Sequence, residues 1–172
     1  RNNKIVFVGR LDKQKNLFNL IESISNTDLE LDVYGQGELE QELIKFTKSI
    51  NAKIKFQGVA DNKKLPDILN QYKYYILSSY YEGMPKTLLE AMACGCICIG
   101  TDVPGINEII RDGDNGILAK NLTSESISKA LKRAINTDNK EVLIKNGVSM
   151  VNERYALKVI AQKEFLSFRE YP

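Results

Sequence analysis

The sequence predicts one α/β domain, a doubly wound and mainly parallel sheet of about six strands flanked by helices. Short apolar runs alternate along the chain with segments whose apolar residues recur at helical spacing. Several of these runs are continuously apolar, which indicates strands that helices cover on both faces. The length of 172 residues fits a single domain over 1–172, or half of a two-domain enzyme.

The strands follow from β-branched, aromatic and leucine-rich runs that end at glycine or serine. The predicted strands are residues 5–8, 29–34, 54–56, 74–77, 96–99 and 117–119. The helices follow from apolar faces between those runs, and a helical tail closes the chain. The predicted helices are residues 17–24, 39–50, 65–72, 88–93, 104–110 and 124–168, the last with breaks near 136–140 and 154–155.

Composition excludes several classes of function. The 24 basic and 22 acidic residues leave a net charge of +2, too balanced for a nucleic-acid partner. The sequence contains no run of eighteen apolar residues, so it predicts no membrane span. The absence of histidine excludes Ser-His-Asp and Cys-His catalysis. Cys94, Cys96 and Cys98 share one apolar stretch, so we interpret them as buried small hydrophobes in a reducing compartment, not as a metal cluster.

The first candidate site follows the first strand. Gly9 permits a sharp turn, Arg10 leaves the carboxyl end of the strand, and Lys13 and Lys15 lie where the next helix begins. Cations are disfavoured at a helix N-terminus, so their placement there favours a bound anion. The alternative is a pair of solvated lysines compensated by Asp12.

The second candidate site follows the fourth strand. Glu82 lies in the loop, Gly83 permits a close backbone approach, and the amides after Pro85 open a helix and can donate to oxygens. Glu90 could accept hydrogen bonds from vicinal sugar hydroxyls. The alternatives are an ordinary loop acid for Glu82 and, for residues 87–90, a capping box that needs no ligand.

Three further patterns argue against other cofactors. Gly35-Gln36-Gly37 follows a strand, but Glu40 leaves the dinucleotide fingerprint incomplete. Asp112-Gly113-Asp114 precedes Asn115-Gly116 and predicts a turn, not a metal site. No phosphate-binding loop of the Gly-x4-Gly-Lys-Ser/Thr type is present.

These motifs, in this order, resemble the C-terminal domain of family 4 retaining glycosyltransferases, which is the Rossmann-like half of a GT-B fold. The resemblance runs from about residue 4 to residue 136, and residues 82–95 are its most specific part. The residues that carry it are Gly9-Arg10, Lys15, Gly35-x-Gly37, Phe56-x-Gly58, Glu82-x7-Glu90, the run 101–108 and Asp114-Asn115-Gly116.

The resemblance implies a nucleotide-diphosphate sugar as donor, with no cofactor and no metal. Arg10 and Lys15 would bind the diphosphate, Glu90 the ribose and Glu82 the transferred sugar, so the implied catalytic residues are Glu82, Arg10 and Lys15. The implied donor-binding residues are Gly9, Arg10, Lys15, Gly58, Val59, Glu82, Gly83, Met84, Pro85, Lys86, Thr87, Leu88 and Glu90.

The implied partners are an N-terminal acceptor-binding domain and an acceptor glycan or lipid-linked glycan. The chain begins almost inside a strand, so we expect that domain to lie outside it, and this domain alone to be inactive. We expect a cytoplasmic protein, peripheral at the inner membrane face through the missing domain. Two alternatives remain: a non-catalytic nucleotide-sugar-binding module and a nucleotide-sugar epimerase. An epimerase would need a Tyr-x3-Lys pair, and both Tyr74-x3-Ser78 and Tyr81-x3-Pro85 lack the lysine.

Overall fold

A computed structural model describes residues 2–155, and its sheet has six strands that are all parallel. The strands are β1 (Asn2–Val8), β2 (Leu31–Tyr34), β3 (Ile54–Gly58), β4 (Tyr72–Leu77), β5 (Ile97–Thr101) and β6 (Ile117–Ala119). They lie in the order β3-β2-β1-β4-β5-β6, so the winding direction reverses between β1 and β4. The predicted doubly wound parallel sheet is confirmed, and ligands of such sheets bind at the carboxyl ends beside this reversal.

Helices form one layer on each side of the sheet. They are α1 (Leu17–Ser25), α2 (Glu40–Ser49), α3 (Leu65–Leu69), α4 (Lys86–Ala93), α5 (Ser124–Asn136) and α6 (Lys140–Arg154). α1 packs against α2 and α5, whereas α4 packs against α3 and α6. Central strand residues such as Phe7, Tyr75 and Ile76 are therefore almost completely buried, as continuously apolar strands require.

Most predicted elements differ from the structure by one to three residues at their ends, and two differ in conformation over part of their length. The third helix ends at Leu69, and Tyr72 opens β4 opposite Asn2, because an aromatic side chain fits a buried strand better than a helix end. Residues 104–110 form successive turns rather than a helix, since Gly105 has a φ of +81°. The predicted break near 136–140 is present between α5 and α6, and α6 ends at Arg154, while the rest of the tail predicted to reach residue 168 lies outside the described residues.

The three cysteines are buried or partly buried, and the Asp-x-Asp pattern forms a turn. Cys96 and Cys98 are buried and Cys94 is partly buried, and residues 2–155 contain neither a disulfide nor a cluster able to hold a metal. Residues 112–116 form the predicted turn, in which the Asp112 carboxylate accepts from the Leu118 amide and from Arg133. Among the described helices, none is long and apolar enough to cross a membrane.

Glycines let the loops after β1 and β2 approach each other. Gly35 has a φ of +148°, and a Cβ on it would lie 1.8 Å from the carbonyl oxygen of Gly9. A Cβ on Gly37 would lie 2.4 Å from the carbonyl oxygen of Leu11. The Gly-x-Gly pattern therefore serves close backbone packing of two loops.

We expect Gly35→Ala to destabilise the domain by about 3–5 kcal/mol, because strain at positive φ adds to a clash with backbone. Gly113→Ala is the matched control, since Gly113 also has positive φ (+78°) but a Cβ on it would meet no atom within 4 Å. It should cost only about 1–2 kcal/mol. Urea unfolding of both variants measures the difference, and equal losses would show that the loop contact is unimportant.

Candidate functional site

A largely buried ion pair joins the loops that follow β1 and β4. Lys15 Nζ lies 2.6 Å from Glu82 Oε1, and the two side chains are only 12% and 8% exposed. Ser79 Oγ donates to the same carboxylate oxygen at 2.5 Å. The pair stands beside the reversal of strand order, so the two sequence motifs predicted separately meet at one place.

Backbone contacts fix the surroundings of this pair. Gln14 accepts from the Tyr80 amide through its carbonyl oxygen and donates from its side chain to the Tyr81 carbonyl oxygen. Ser78 Oγ donates to the Lys15 carbonyl oxygen at 2.8 Å. The loop after β5 contributes as well, because the Glu82 amide donates to the carbonyl oxygen of residue 104. Three loops therefore hold the Glu82 carboxylate in one position.

A cavity of about 440 Å³ opens at the carboxyl ends of β1, β2 and β3, beside the start of α4. It carries the cations Arg10 and Lys86 and one carboxylate, Glu90. Its lining residues are Val8, Gly9, Arg10, Tyr34, Gly35, Gln36, Val59, Ala60, Asn62, Leu65, Lys86, Thr87 and Glu90. One cavity thus receives side chains from both predicted motifs.

The other predicted site residues have different positions. Lys15 passes next to the cavity, since a Cβ on Gly9 would lie 3.7 Å from Lys15 Cε, but its ammonium group turns to Glu82. Pro85 and Leu88 are buried and can offer only backbone groups, whereas Gly83 and Met84 are exposed. Gly58 ends β3 with open space around it.

The start of α4 offers backbone donors next to the cavity. The amides of Lys86 and Leu88 donate within the turn, to the carbonyl oxygens of residues 84 and 85. The amides of Gly83, Met84 and Thr87 have no acceptor within residues 2–155. Such unsatisfied donors at a helix N-terminus, with the positive end of the helix dipole, attract anionic oxygens.

The capping box predicted for residues 87–90 is wrong. α4 begins at Lys86 with Pro85 as its N-cap, so Thr87 lies inside the helix and no side chain caps it. The Thr87 hydroxyl instead pairs with the hydroxyl of Tyr75 at 2.8 Å. Glu90 therefore does not cap the helix. Partial burial raises the pKa of the Glu90 carboxyl, and nearby Lys86 offsets part of that rise.

The side chain of Arg10 is more exposed and less constrained than that of Lys15. Its side chain is 75% exposed, and its only ion pair among the described residues is a 3.3 Å contact from Nε to Asp12 Oδ2. Oδ1 of Asp12 is buried and has no hydrogen-bond partner there. The Arg10 guanidinium can therefore turn toward an anion in the cavity.

A larger cavity of about 600 Å³ lies at the opposite edge of the sheet, between β6 and α5. Its cations are partly neutralised, because Arg133 pairs with Asp112 and Lys129 with Glu125. Arg133 also donates to the carbonyl oxygen of Leu118 and so covers the sheet edge. We assign the site to the smaller cavity because, of these two, it is the one that combines charged groups with unsatisfied helix amides beside the strand reversal.

Sequence reasoning missed several residues of the site. Ser78, Ser79 and Gln14 hold the loops together, and Tyr34 and Asn62 line the cavity. The two serines directly follow a buried strand, and that position in the sequence could have identified them as site residues. The others belong to no motif, and only the three-dimensional arrangement brings them to the site.

We expect Glu82→Ala to destabilise the domain by about 3–5 kcal/mol, because it leaves the buried Lys15 ammonium uncompensated. In the double variant Lys15→Met with Glu82→Ala, much of this loss should be recovered. Glu125→Ala, which breaks the exposed pair with Lys129, is the control and should leave the urea midpoint nearly unchanged. Additive losses at Lys15 and Glu82 would contradict a coupled buried pair.

Comparison with known sequences identifies the family of this chain. The family model described as glycosyl transferases group 1 matches residues 1–149. A Campylobacter jejuni enzyme, N-acetylgalactosamine-N,N'-diacetylbacillosaminyl-diphospho-undecaprenol 4-alpha-N-acetylgalactosaminyltransferase, is 30% identical over 83% of this chain and 40% of its own length. The chain spans about 40% of the length of this relative and of an uncharacterized glycosyltransferase of Methanocaldococcus jannaschii.

Solved structures have the same fold. The C-terminal domain of LpcC, a glycosyl transferase group 1 family protein of Francisella tularensis, has a TM-score of 0.78 at 26% identity, over 90% of this chain and 87% of that one. HepE of Anabaena in complex with UDP and glucose has a TM-score of 0.87 at 19% identity, over 98% of this chain and 48% of that one. The chain belongs to the glycosyl transferases group 1 family and has the Rossmann-like architecture of one half of a GT-B fold.

Proposed function

We propose that this chain is the donor-binding domain of a retaining glycosyltransferase whose donor is a nucleotide-diphosphate sugar. The observation that carries the proposal is the cavity of about 440 Å³ at the carboxyl ends of β1 to β3. Its volume lies within the usual range for small-molecule sites, and the position beside the strand reversal is where such sheets bind ligands. HepE, which has the same fold, binds UDP in its solved complex.

The charges of the cavity suit the parts of a nucleotide-diphosphate sugar. Arg10 and the amides of Gly83, Met84 and Thr87 would bind the diphosphate. Glu90 would accept hydrogen bonds from the ribose hydroxyls, and the segment Gly58-Val59 would lie near the base. The wall formed by Val59, Ala60 and Leu65 gives the base an apolar surface.

The buried ion pair would act at the sugar end of the donor. Lys15 supplies a positive charge next to Gly9, where negative charge develops on the departing diphosphate, and its stabilisation there lowers the barrier to transfer. Glu82, held by Lys15 and Ser79, would accept from a hydroxyl of the transferred sugar. Positions set before binding avoid the cost of ordering these groups during the reaction.

The remaining parts of the reaction lie outside this domain in our proposal. An N-terminal domain would bind the acceptor, and the domain described here would bind donor without turnover. The related Campylobacter jejuni enzyme is named for a diphospho-undecaprenol-linked acceptor. That name supports a glycan or lipid-linked glycan as acceptor here, and with it a peripheral position at the inner face of a membrane.

Calorimetric titration of the chain with UDP-, GDP- and ADP-linked sugars tests the proposed function. We expect binding of one donor family, with the nucleoside diphosphate competing for the same site. No heat or competition with any of the nine combinations of these bases with glucose, N-acetylglucosamine and mannose would overturn the donor-binding role.

We expect Arg10→Ala to weaken nucleoside-diphosphate binding about tenfold or more and nucleoside binding much less, because a charge-assisted contact is lost. Arg111→Ala is the matched control, since Arg111 is also exposed but does not line the cavity. Calorimetry compares the two ligands for each variant. Equal losses for diphosphate and nucleoside would contradict a diphosphate contact.

We expect Glu90→Gln to weaken nucleotide binding several-fold without changing stability, because Glu90 caps no helix. The ionised carboxylate is the better acceptor for ribose hydroxyls. Since the pKa of Glu90 is raised, wild-type affinity should begin to fall at a higher pH than for an ordinary glutamate as the solution is acidified. The Gln variant should lack this pH dependence, and identical profiles would remove Glu90 from the binding site.

We expect nucleotide binding to need no divalent cation. Arg10 and Lys15 would supply the positive charge, and the Asp112 and Asp114 carboxylates are engaged by Arg133 and Asn146. Affinity should therefore be equal in excess chelator and in excess magnesium. Binding abolished by chelator and restored by magnesium would overturn both the metal-free proposal and the assignment of the two basic residues.

A further inference from the structure

Asp32 is an unusual residue for its position. It lies in the middle of β2, is 5% exposed, and has no ion-pair partner within residues 2–155. Of the lysines near it, Lys4 pairs with Glu30 and Lys53 with Asp28, and Lys55, which lies opposite Asp32 on β3, forms no ion pair with it. Burial of a carboxylate is costly, and aspartate is rare within strands, so stability alone gives no account of it.

Asp32 is instead held by a tyrosine. The Tyr72 hydroxyl donates to Asp32 Oδ2 at 2.6 Å, and Tyr72 is 3% exposed. A tyrosine hydroxyl carries one proton, so the Tyr72 proton is committed to Asp32. Burial and the hydrogen bond to Asp32 raise the pKa of Tyr72, which keeps this donor protonated at every physiological pH.

The same tyrosine contacts the wall of the cavity. The Tyr34 hydroxyl lies 3.4 Å from the Tyr72 hydroxyl, and the two rings pack edge to face with centroids 6.5 Å apart. Because the Tyr72 proton goes to Asp32, the Tyr72 oxygen is the acceptor and Tyr34 the donor. A chain of two hydrogen bonds therefore runs from Tyr34 through Tyr72 to Asp32, and each hydroxyl donates to the next residue.

Tyr34 is the member of this chain that reaches the ligand site. It ends β2, two residues after Asp32 and so on the same face of the strand, and it lines the cavity together with Val59, Ala60 and Leu65. The next residue, Gly35, packs closely against the Gly9 carbonyl, and the Tyr34 carbonyl oxygen accepts from the Gly9 amide, so the backbone at Tyr34 is held in place. The direction of the ring then depends on what holds its hydroxyl end.

We infer that Tyr34 forms the base-side wall of the nucleotide cavity and that Tyr72 and Asp32 are positioning residues that hold it there. The inference rests on the proposed function. Without Tyr72 and Asp32, the Tyr34 ring is free to turn into the space that the nucleoside needs. The diphosphate contacts, on the Arg10 side of the cavity, do not depend on this chain.

The test compares UDP, GDP, ADP and inorganic pyrophosphate as calorimetric probes of the wild type and variants. Tyr72→Phe and Tyr34→Phe should each weaken the best-binding nucleotide about three- to tenfold, as expected for one lost hydrogen bond, and leave pyrophosphate binding unchanged. The double variant should lose no more than either single one, because both break the same chain. Tyr74→Phe removes a hydroxyl from the same buried strand, outside the chain, and should bind as wild type.

Asp32 supplies a second, conservative comparison. Asp32→Asn keeps an acceptor for Tyr72 and should bind within about twofold of wild type, whereas Asp32→Val should lose as much as Tyr72→Phe. Urea unfolding shows which variants are folded at the assay temperature, and if Asp32→Val is not, the two tyrosine variants decide. A wild-type protein that binds none of the nucleotides would overturn the proposed function itself. Wild-type binding with unchanged affinity in Tyr72→Phe, or with additive losses in the double variant, would overturn the positioning role alone.

Discussion

The contact between Lys15 and Glu82 is the interaction on which the arrangement of the site depends. Two charges that are nearly excluded from water need each other, because either one alone would carry a large desolvation penalty. They belong to loops that lie 67 residues apart in the chain, so their pairing fixes the loop after β1 relative to the loop after β4. The bond from Ser79 gives the carboxylate a second partner, which makes the position of Glu82 better defined than an ion pair alone could.

The cavity is a consequence of how closely these loops can approach. Gly35 and Gly37 bring the loop after β2 against Gly9 and Leu11, and Gly105 brings the loop after β5 against Glu82, where a Cβ would lie 2.1 Å from the Glu82 carbonyl oxygen. Larger residues at these places would push the loops apart. The glycines that the sequence motif shares with nucleotide-binding folds therefore act here through backbone packing, and the space that remains between the packed loops and α4 is the candidate site.

The sequence was sufficient for features that depend on neighbouring residues. Apolar periodicity predicts all six strands and their parallel pairing, because burial on both faces leaves a local pattern. It fails where a distant partner competes with a local preference. Thr87 has the spacing of a helix cap, yet its hydroxyl pairs with Tyr75, and Pro85 starts the helix before it. The meeting of Lys15 with Glu82, and that of Tyr34 with Tyr72, depends on strand order, which no single motif contains.

The two cations assigned to the diphosphate differ in how far their side chains are fixed before a ligand binds. Lys15 is 12% exposed and fixed by Glu82, so its charge stands in place before any ligand arrives. Arg10 is 75% exposed, and within residues 2–155 its only ion pair is with Asp12, so its long side chain must lose rotational freedom when it binds an anion. In the proposed reaction, Arg10 therefore contributes mainly to capture of the donor, at an entropic cost that lowers affinity. Lys15 and Glu82 contribute mainly to the transfer step, because preset charges stabilise a transition state without further reorganisation.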